Sequence, residues 1–299
     1  MSLKTYIGTL KPFKAVVRGV TRLLPDEAFI KLKYYWMFGK MPDLKHPKTY
    51  NEKVNWLKLH DRKPIYSTLV DKYEVKKYVS ERIGEEHIIP TYAVYSAVEE
   101  IDLSNLPNRF VLKGTHDGGS IVICRDKSTF DFEAAKKKLE KSLKTNFYWH
   151  GREWPYKAVK PRIIAEAFME DEQTAELRDY KFFCFDGVVR ALFIATDRQK
   201  KDTDTKFDFF DEKGNHLPIK QGHPNADVPP ALPQNFEQMK GFASMLSKGI
   251  AQLRVDFYEV NGQVYFGELT FSHFDGLVPF IPDEWDRVFG DYIQIPTDY

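Results

Sequence analysis

Residues 251–271, AQLRVDFYEVNGQVYFGELTF, carry the strongest local signal for the fold. Two runs rich in Val, Tyr, Phe and Leu flank Asn261-Gly262. This dipeptide favours the two-residue turn of a β-hairpin because both residues adopt positive φ angles readily. The segment therefore predicts two antiparallel strands, AQLRVDFYEV and QVYFGELTF, joined by a tight turn.

Each predicted strand is interrupted by one carboxylate, Asp256 in the first strand and Glu268 in the second. Pairing outward from the turn places Asp256 opposite Gly267, so the two carboxylates share a face only if a β-bulge shifts the register. Buried carboxylates need positive charge nearby. Two sources are open: Mg²⁺ held between the carboxylates and nucleotide phosphates, or Arg254 in a salt bridge within the sheet.

Outward from this hairpin, the chain divides into a mainly helical first third and a strand-rich remainder. Thr49 and Glu52 have the spacing of a capping box at the start of a helix. Residues 65–83 predict another helix, which ends at Gly84. From Phe110 onward, runs of β-branched and aromatic residues alternate with turn signals. The pattern predicts an α+β fold with mainly antiparallel sheets.

A second predicted hairpin surrounds the glycine pair in LKGTHDGGSIVI, residues 112–123. Adjacent glycines allow backbone N–H groups to close over phosphate oxygens. Lys113, at the start of the loop, can place an ammonium group on the same phosphates. His116 and Asp117 either face solvent at the tip of the loop or contact substrate.

Two further strands carry polar residues in apolar surroundings. RIIAEAFMED, residues 162–171, is either a strand that leaves its sheet and offers backbone groups to an adenine edge, or an ordinary core strand. In the next strand, Asp179 and Lys181 share a face by two-residue alternation. They either belong to a binding site or form an ion pair on the solvent side of the sheet.

The composition is typical of a folded protein: 42% of the 299 residues are hydrophobic and 29% are charged. A net charge of +1 gives no reason to expect a nucleic-acid partner. Cys124 and Cys184 lie in apolar, β-like runs without metal-site or redox spacing, so we expect buried reduced thiols and a cytoplasmic protein. No stretch has the roughly 20 apolar residues of a transmembrane helix.

The N-terminal segment has apolar side chains at helical spacing with basic residues among them. Such a helix either lies on an anionic membrane surface, which for this protein would be the inner face of the membrane, or packs on its own domain or a second subunit. The apolar positions are Leu3, Tyr6, Ile7, Leu10, Phe13, Val16, Val17, Val20 and Leu23, and the basic ones are Lys4, Lys11, Lys14, Arg18 and Arg22.

Taken in order, these features resemble the ATP-grasp superfamily: a lysine before a glycine-rich hairpin, a hinge strand with a glutamate, a lysine-bearing strand, and late strands with Asp and Glu. More closely, the chain resembles the TupA-like ATP-grasp proteins, which are associated with teichuronopeptide and with capsular or other surface polysaccharide biosynthesis. The resemblance begins at about Lys48 and reaches the IP-containing C-terminal segment. It is carried by KTYNEKVNWLKLHDR, LVDKYEVKKYV, FVLKGTHDGGSIVICRDKS, GREWPYKAVKPRIIAE, DYKFFCFDG, RVDFYEVNGQVYFGELTF and PDEWDRVFGDYI.

The resemblance implies an ATP-grasp fold, in which two α+β subdomains enclose ATP behind a helical N-terminal region. It assigns the ATP phosphates to three lysines and a lid loop: Lys72 (in the helix predicted for residues 65–83), Lys113, Lys181, Gly118, Gly119 and Ser120. It assigns the adenine to hinge residues Glu166, Ala167, Phe168 and Met169. It assigns Mg²⁺ to Asp256, Glu268 and Thr270, the last at a position where many ATP-grasp enzymes have Asn.

The implied domain organisation has four segments. Residues 1–47 form the basic amphipathic helical segment, and residues 48–107 a helical region before the grasp subdomains. Residues 108–165 form the small, lid-bearing subdomain. Residues 166–299 form the large subdomain, which binds the metal and the substrates.

The implied activity is ATP-dependent amide formation through an acyl phosphate. We expect Lys113, Lys181 and Arg198 to act on the reacting groups, with Arg198 holding the acyl phosphate or a substrate carboxylate. The alternative for Arg198 is a surface ion pair with Asp197 or another neighbour. The expected partners are ATP, an amino acid or other amine, and a uronic-acid-containing sugar or glycan.

Other interpretations stay open. GREWPYK, residues 151–157, either stacks on sugar or forms an aromatic core loop. A kinase that stops at a phosphorylated product would use the same nucleotide site. A glycosyltransferase of a polysaccharide pathway would use a DxD-type motif, which Asp202-Thr203-Asp204 matches inside a polar, Lys-rich loop. A non-catalytic scaffold has no use for paired carboxylates within a sheet.

Overall fold

The structure is a computed structural model that describes residues 21–172, 177–198 and 203–295. The amphipathic pattern at the N-terminus falls largely on residues 1–20, outside the described residues. Helices α1 to α8 are Asp26–Phe38, Tyr50–His60, Ile65–Val70, Val75–Ile83, Phe132–Leu143, Tyr148–Gly151, Phe236–Ser247 and Glu284–Tyr292. Strands β1 to β12 are Thr91–Tyr95, Phe110–Gly114, Val122–Cys124, Ile163–Ala167, Asp179–Phe185, Val188–Thr196, Lys206–Asp211, His216–Leu217, Lys220–Gln221, Leu253–Val260, Gln263–Thr270 and Phe280–Ile281.

The larger sheet has the strand order β11-β10-β5-β6-β7-β8, with antiparallel pairing throughout. Its central strands are almost continuously apolar because helices cover both faces. Successive side chains of a strand point to opposite faces, so the neighbouring residues Phe182 and Phe183 enter different cores. Phe182 packs in the core that includes α4 and α7, and Phe183 packs in the core that includes α2 and α8.

The smaller sheet has the order β1-β4-β2-β3 and is also antiparallel. On one face, Phe110 and Leu112 of β2 pack in a core with Leu139 of α5. Lys113 follows Leu112 in β2 and therefore points to the other face. It lines a cleft there, together with Glu166 of β4 and residues of the larger sheet. The two sheets therefore meet around one cleft.

The predicted α+β fold with antiparallel sheets is confirmed. Both predicted hairpins are present, as β2–β3 around the glycine pair and as β10–β11 around Asn261-Gly262. Helix α2 begins with the predicted capping box, in which the Thr49 hydroxyl accepts the N–H of Glu52 and the Glu52 carboxylate accepts the N–H of Thr49. Local sequence thus determines these three features.

The single helix predicted for residues 65–83 is wrong, because α3 and α4 are separate helices. Asp71 follows the last residue of α3, and its Oδ1 accepts the backbone N–H groups of the residues two and three positions later. An aspartate that bonds nearby N–H groups competes with helical hydrogen bonding, and it ends helices for that reason.

Lys72 therefore lies in the break between two helices. Its backbone N–H donates to the carbonyl of Thr115, beside the glycine-rich loop. Arg162 holds the break from the other side by donating to Asp71 at 2.8 Å. The break thus brings Lys72 to the edge of the smaller sheet. In a continuous helix, Lys72 would lie on the surface of the helix instead.

Both cysteines, Cys124 and Cys184, are buried free thiols, as expected from the apolar runs around them. Among the described residues, no helix is both long enough and apolar enough to span a membrane.

Candidate active site

The two carboxylates of the last hairpin lie side by side. Asp256 pairs with Glu268 across β10 and β11, whereas the next pair toward the turn is Phe257 with Phe266. Gly267 is thus the extra residue of a β-bulge, and this bulge provides the register shift that a shared face required. A Cβ atom at Gly267 would lie 3.0 Å from the carbonyl oxygen of Asp256, so the close approach of the strands favours glycine.

Asp256 is completely buried, and two cations balance its charge. Arg254 donates from Nε to Oδ1 and from Nη2 to Oδ2, both at 2.7 Å, and the Lys181 ammonium also donates to Oδ2. Burial lowers the pKa of Lys181, an effect that Asp256 only partly offsets. Burial would also lower the pKa of Arg254, but Asp256 raises it above its ordinary value. The salt bridge within the sheet is therefore formed.

Glu268 is more accessible than its partner, with a side chain about one-third exposed. Its Oε1 accepts from Arg254 Nη2 at 3.1 Å, and its Oε2 lies 3.6 Å from the Lys72 ammonium. The hydroxyl of Thr270 accepts from the same Arg254 nitrogen at 2.9 Å. Burial would raise the pKa of Glu268, but the charges of Lys72, Lys181 and Arg254 hold it well below its ordinary value.

This donor set fits Mg²⁺ that arrives bound to nucleotide phosphates. Mg²⁺ prefers oxygen ligands and commonly takes only one or two protein carboxylates beside phosphates and waters. Glu268 offers an ionised, accessible carboxylate, with the Thr270 hydroxyl beside it. Both oxygens of Asp256 already bond to Arg254 and Lys181. The described ranges contain no cluster of three or more His, Cys, Asp or Glu side chains that could hold a metal without phosphates.

Lys72 connects the carboxylate pair to the glycine-rich loop. Its ammonium donates to the backbone carbonyl of Asp117 at 2.5 Å and lies near Glu268. The helix break, the loop between β2 and β3, and the bulged hairpin therefore converge at this one side chain.

The side chains of the glycine-rich loop organise the loop itself. The carboxylate of Asp117 accepts from the hydroxyls of Ser120 and Ser142, both at 2.6 Å, and from backbone N–H groups of the loop. Burial would raise the pKa of Asp117, but these hydroxyls lower it. His116 is buried and bonds to the carbonyl of Ser142. Asp117 and His116 thus support the loop from within, and neither is a solvent residue at the tip.

The loop residues assigned to the lid differ in their surroundings. Gly118 and Gly119 are exposed, and a Cβ atom at either would meet nothing within 4 Å. Ser120 is buried, and its hydroxyl accepts the N–H of Gly114. The backbone of both glycines is therefore accessible to a ligand, although the Gly119 N–H already donates to Asp117, whereas the Ser120 hydroxyl is used within the loop.

A cavity of about 220 Å³ lies between the two sheets. Its walls are mainly apolar, and three charged side chains, Lys113, Glu166 and Arg198, line it. An apolar slot with a few polar groups is typical of a small-molecule site. The remaining lining residues are Ile89, Val111, Ile121, Ile123, Ala167, Phe168, Met169, Leu177 and Tyr258. The predicted hinge residues from Glu166 to Met169 thus form one edge of the cavity.

Glu166 lies between two lysines. Lys113 and Lys76 each approach its carboxylate to 2.5 Å, and Glu166 is almost completely buried. Burial would raise the pKa of Glu166, but the two ammonium groups lower it. Lys76 is not among the site residues predicted from the sequence; the signal that could have identified it is its position four residues after Lys72 in LVDKYEVKKYV.

A chain of charged residues connects the cavity to the carboxylate pair. Arg198 pairs with Asp179, and Lys181 donates to Asp179 at 3.1 Å and also to Asp256. Asp179 and Lys181 are both buried, so the ion pair on the solvent side of the sheet is wrong. Strand β5 is a central strand of the larger sheet, and all seven of its residues are buried. The Arg198 side chain is still 43% exposed and is available to a ligand in the cavity.

The GREWPYK segment connects to the N-terminal part of the fold. Arg152 is buried, donates to the carbonyl of Thr21 at 2.7 Å, and lies over the rings of Phe29 and Trp149. Trp154 packs against the core of the larger sheet. These two residues support the interpretation as an aromatic core loop.

A family model described as TupA-like ATPgrasp matches residues 52–294 of the chain. No curated protein matches it.

Among solved structures, the chain is similar to D-alanine–D-alanine ligase from Helicobacter pylori, with 14% identity, 82% of this chain and 69% of that chain covered, and a TM-score of 0.45. D-alanine–D-alanine ligase from Bacillus anthracis complexed with ATP matches with 16% identity, 68% and 55% coverage, and a TM-score of 0.39. L-amino acid ligase from Bacillus licheniformis matches with 16% identity, 73% and 47% coverage, and a TM-score of 0.41. The chain thus spans about half the length of the last two proteins.

Proposed function

The chain belongs to the TupA-like ATP-grasp family, and from this premise we propose that it is an ATP- and Mg²⁺-dependent ligase that joins a carboxylate to an amine. The observation that carries the proposal is a set of four cations, two on the cavity wall and two close to an ionised and accessible Glu268. These cations are Lys72, Lys113, Lys181 and Arg198. A triphosphate needs such a set because catalysis of phosphoryl transfer depends on positioning and on neutralising charge.

The cavity between the sheets suits the nucleotide. Its apolar walls from both sheets can enclose an adenine ring, and the strand that contains Ala167 and Phe168 can offer backbone groups to the edge of the ring. Lys113 lies on the cavity wall, where it would exchange Glu166 for a phosphate oxygen. The exposed backbone at Gly118 and Gly119 would close over the phosphates and exclude water.

The proposed reaction has two steps. A carboxylate oxygen of the first substrate attacks the γ-phosphorus of ATP, the bond to the β–γ bridging oxygen breaks, and ADP leaves. The amine of the second substrate then attacks the carbonyl carbon of the acyl phosphate, inorganic phosphate leaves, and the nitrogen loses a proton. Lys181 and Arg198 hold charged oxygens during these steps, and no residue has to act as a covalent nucleophile.

Glu268 would hold the Mg²⁺ of the nucleotide, with Thr270 and Asp256 beside it. When bound, Mg²⁺ neutralises the phosphate charge that develops in the first step. Arg254 keeps Asp256, Glu268 and Thr270 in contact with one guanidinium group, so the oxygens of the site are already aligned.

We also propose that the substrates are an amino acid or other amine and a uronic-acid-containing surface polysaccharide or its precursor, used in the cytoplasm. The support for this is the resemblance to the TupA-like proteins. Of the four proposed segments, 1–47, 48–107, 108–165 and 166–299, the last three line the proposed nucleotide cavity. The smaller sheet takes β1 from the second segment, β2 and β3 from the third, and β4 from both sides of the boundary after residue 165.

Product analysis tests the proposed reaction. Purified protein is incubated with ATP, Mg²⁺, D-glucuronate or D-galacturonate, and single amino acids, and ADP, inorganic phosphate and amide are measured. We expect ADP and phosphate in equal amounts, and release that needs both co-substrates. The Lys113→Ala variant should lose this release, whereas Lys137→Ala, a change in a solvent-facing lysine of α5, should not.

Two other results would contradict the proposed ligase activity. ADP formed together with a phosphorylated sugar, without free phosphate, would identify a kinase. Binding of a nucleotide sugar without binding of ATP would favour a glycosyltransferase, although the first aspartate of Asp202-Thr203-Asp204 lies outside the described residues.

We propose, finally, that the N-terminal part of the chain contacts an anionic membrane surface. Beyond the basic amphipathic pattern, the support is the outer face of α1, where Leu32, Tyr35 and Trp36 are each more than half exposed. Aromatic residues with both apolar and polar parts favour the membrane interface. The Leu32→Ser/Trp36→Ser variant should bind phosphatidylglycerol vesicles about tenfold more weakly in a sedimentation assay. The Val228→Ser variant, which changes another exposed apolar side chain, is the control; equal binding by all three proteins would contradict membrane contact.

A further inference from the structure

The loop after β11 contains a strained turn beside the candidate active site. Phe274, Asp275 and Gly276 adopt φ angles of 50°, 59° and 63° in succession. The left-handed conformation is unfavourable for residues that have a Cβ atom, so such a turn persists only where its surroundings fix it. Something in this fold therefore holds the turn in place.

Helix α2 holds it with three side chains on one face. Asn51, Asn55 and Lys58 donate to the carbonyls of Val278, Gly276 and Asp275 at 3.3, 2.7 and 2.8 Å. Residues spaced by four and three positions lie above one another on a helix, so α2 presents a row of donors to the loop. All three side chains are buried. The helix that begins with the capping box thus fixes the path of the loop.

This path places His273 between β9 and β10. Its Nδ1 lies 2.6 Å from Arg254 Nη1, and its Nε2 lies 3.1 Å from Gln221 Oε1. Arginine only donates hydrogen bonds, so Nδ1 must accept and the ring proton must be on Nε2, where it is donated to Gln221. The ring is buried and packs against Phe183 and Phe193. Burial and the charge of Arg254 hold the pKa of His273 well below its ordinary value, which agrees with a neutral ring.

We infer that His273 is a positioning residue for Arg254 and acts through it on the carboxylate pair. The imidazole fixes the one guanidinium nitrogen, Nη1, that does not contact Asp256, and the other two nitrogens then reach Asp256, Glu268 and Thr270. A neutral acceptor suits this position because a third carboxylate would compete for Arg254. This inference rests on the proposed function and extends it to the loop after β11.

Two substitutions separate the two ring nitrogens. His273→Asn keeps an acceptor oxygen close to the position of Nδ1, whereas His273→Gln keeps a polar group close to the position of Nε2. If His273 positions Arg254, kcat for ADP formation in the ligase assay should fall about 10- to 100-fold in His273→Gln and His273→Ala, as for other residues that orient a ligand-binding group. His273→Asn should stay within about fivefold of the unsubstituted protein, and KM for ATP should change by less than about threefold in every variant.

The control is His46→Asn, at a histidine that is exposed on the surface. Equal losses in His273→Asn and His273→Gln would show that only packing matters and would overturn the inference. A rise in KM for ATP that follows the loss in kcat would overturn it as well, because that result would place His273 in nucleotide binding.

A second measurement does not depend on turnover. Long-range ¹H–¹⁵N correlation spectra of the labelled protein at neutral pH should show His273 with a proton on Nε2 and none on Nδ1, with its signals assigned by their loss in His273→Asn. A protonated Nδ1 would overturn the inference even in an active enzyme. If the protein forms no ADP with any co-substrate, the proposed function fails, and the protonation pattern alone then decides the inference.

Discussion

Glu268→Gln is expected to reduce the rate of ADP formation about 100- to 1,000-fold, the cost typical of removing one group that stabilises developing charge. The amide keeps the shape of the side chain but removes the negative charge that can hold Mg²⁺. The charges of Lys72, Lys181 and Arg254 keep Glu268 ionised, so the substitution removes a full charge at any pH that an enzyme assay uses.

The same variant should remain folded. Glu268 is about one-third exposed and its closest ion-pair distance is 3.1 Å, so its loss should change the free energy of unfolding by no more than about 1 kcal/mol. Steady-state kinetics and urea unfolding measure the two quantities. Glu237→Gln, which changes an exposed glutamate that pairs with Lys240, is the matched control. A Glu268→Gln enzyme with undiminished kcat at saturating Mg²⁺ would exclude Glu268 as the main metal ligand.

Asp256→Ala is expected to lower the free energy of unfolding by about 3–5 kcal/mol, because it leaves buried cations without the carboxylate that balances them. Asp256 has no exposed surface and bonds to both Arg254 and Lys181. Urea unfolding monitored by circular dichroism measures the loss. Asp291→Ala, which removes an exposed aspartate paired with Arg287, should change stability by about 0.5 kcal/mol or less.

A double variant tests the reason for this loss. In Asp256→Ala/Lys181→Met, the buried ammonium is absent, so part of the lost stability should return. The return of stability should bring no return of activity, because both residues belong to the proposed site. If the double variant loses as much free energy of unfolding as the two single variants together, the unbalanced buried charge is not the cause of the instability.

The hairpin that carries this site shows which of its features can be predicted from the sequence. Asn261-Gly262 determines the turn, and counting from the turn shows that Asp256 and Glu268 can share a face only with a bulge. The count cannot show where the extra residue lies, because any position between the turn and the carboxylates would serve. The contact between Gly267 and the backbone of Asp256 decides it, and that contact forms only when the strands pair.

Other parts of the site depend on contacts between distant segments. The break at Asp71 reflects bonds to its own next turn and to Arg162, which is 91 residues away. Helical periodicity alone favoured a continuous helix there. Lys76 and His273 were not predicted for the same reason. Neither residue stands out in its own segment, and each joins the site only through a partner on a strand that is distant in sequence, Glu166 for Lys76 and Arg254 for His273.

The bulge at Gly267 also makes the difference between the residue numbers of the two carboxylates informative. Across a hairpin with a two-residue turn and a regular ladder, facing residues differ in number by an odd value, as for Phe257 and Phe266. Asp256 and Glu268 differ by an even value, 268 − 256 = 12, because one extra residue intervenes. Deleting Gly267 would restore the odd value, keep the two carboxylates opposite each other, and remove the bend. Aligning relatives that have and lack this residue therefore requires a gap inside the strand, since a gap in the turn would match Glu268 to the wrong face.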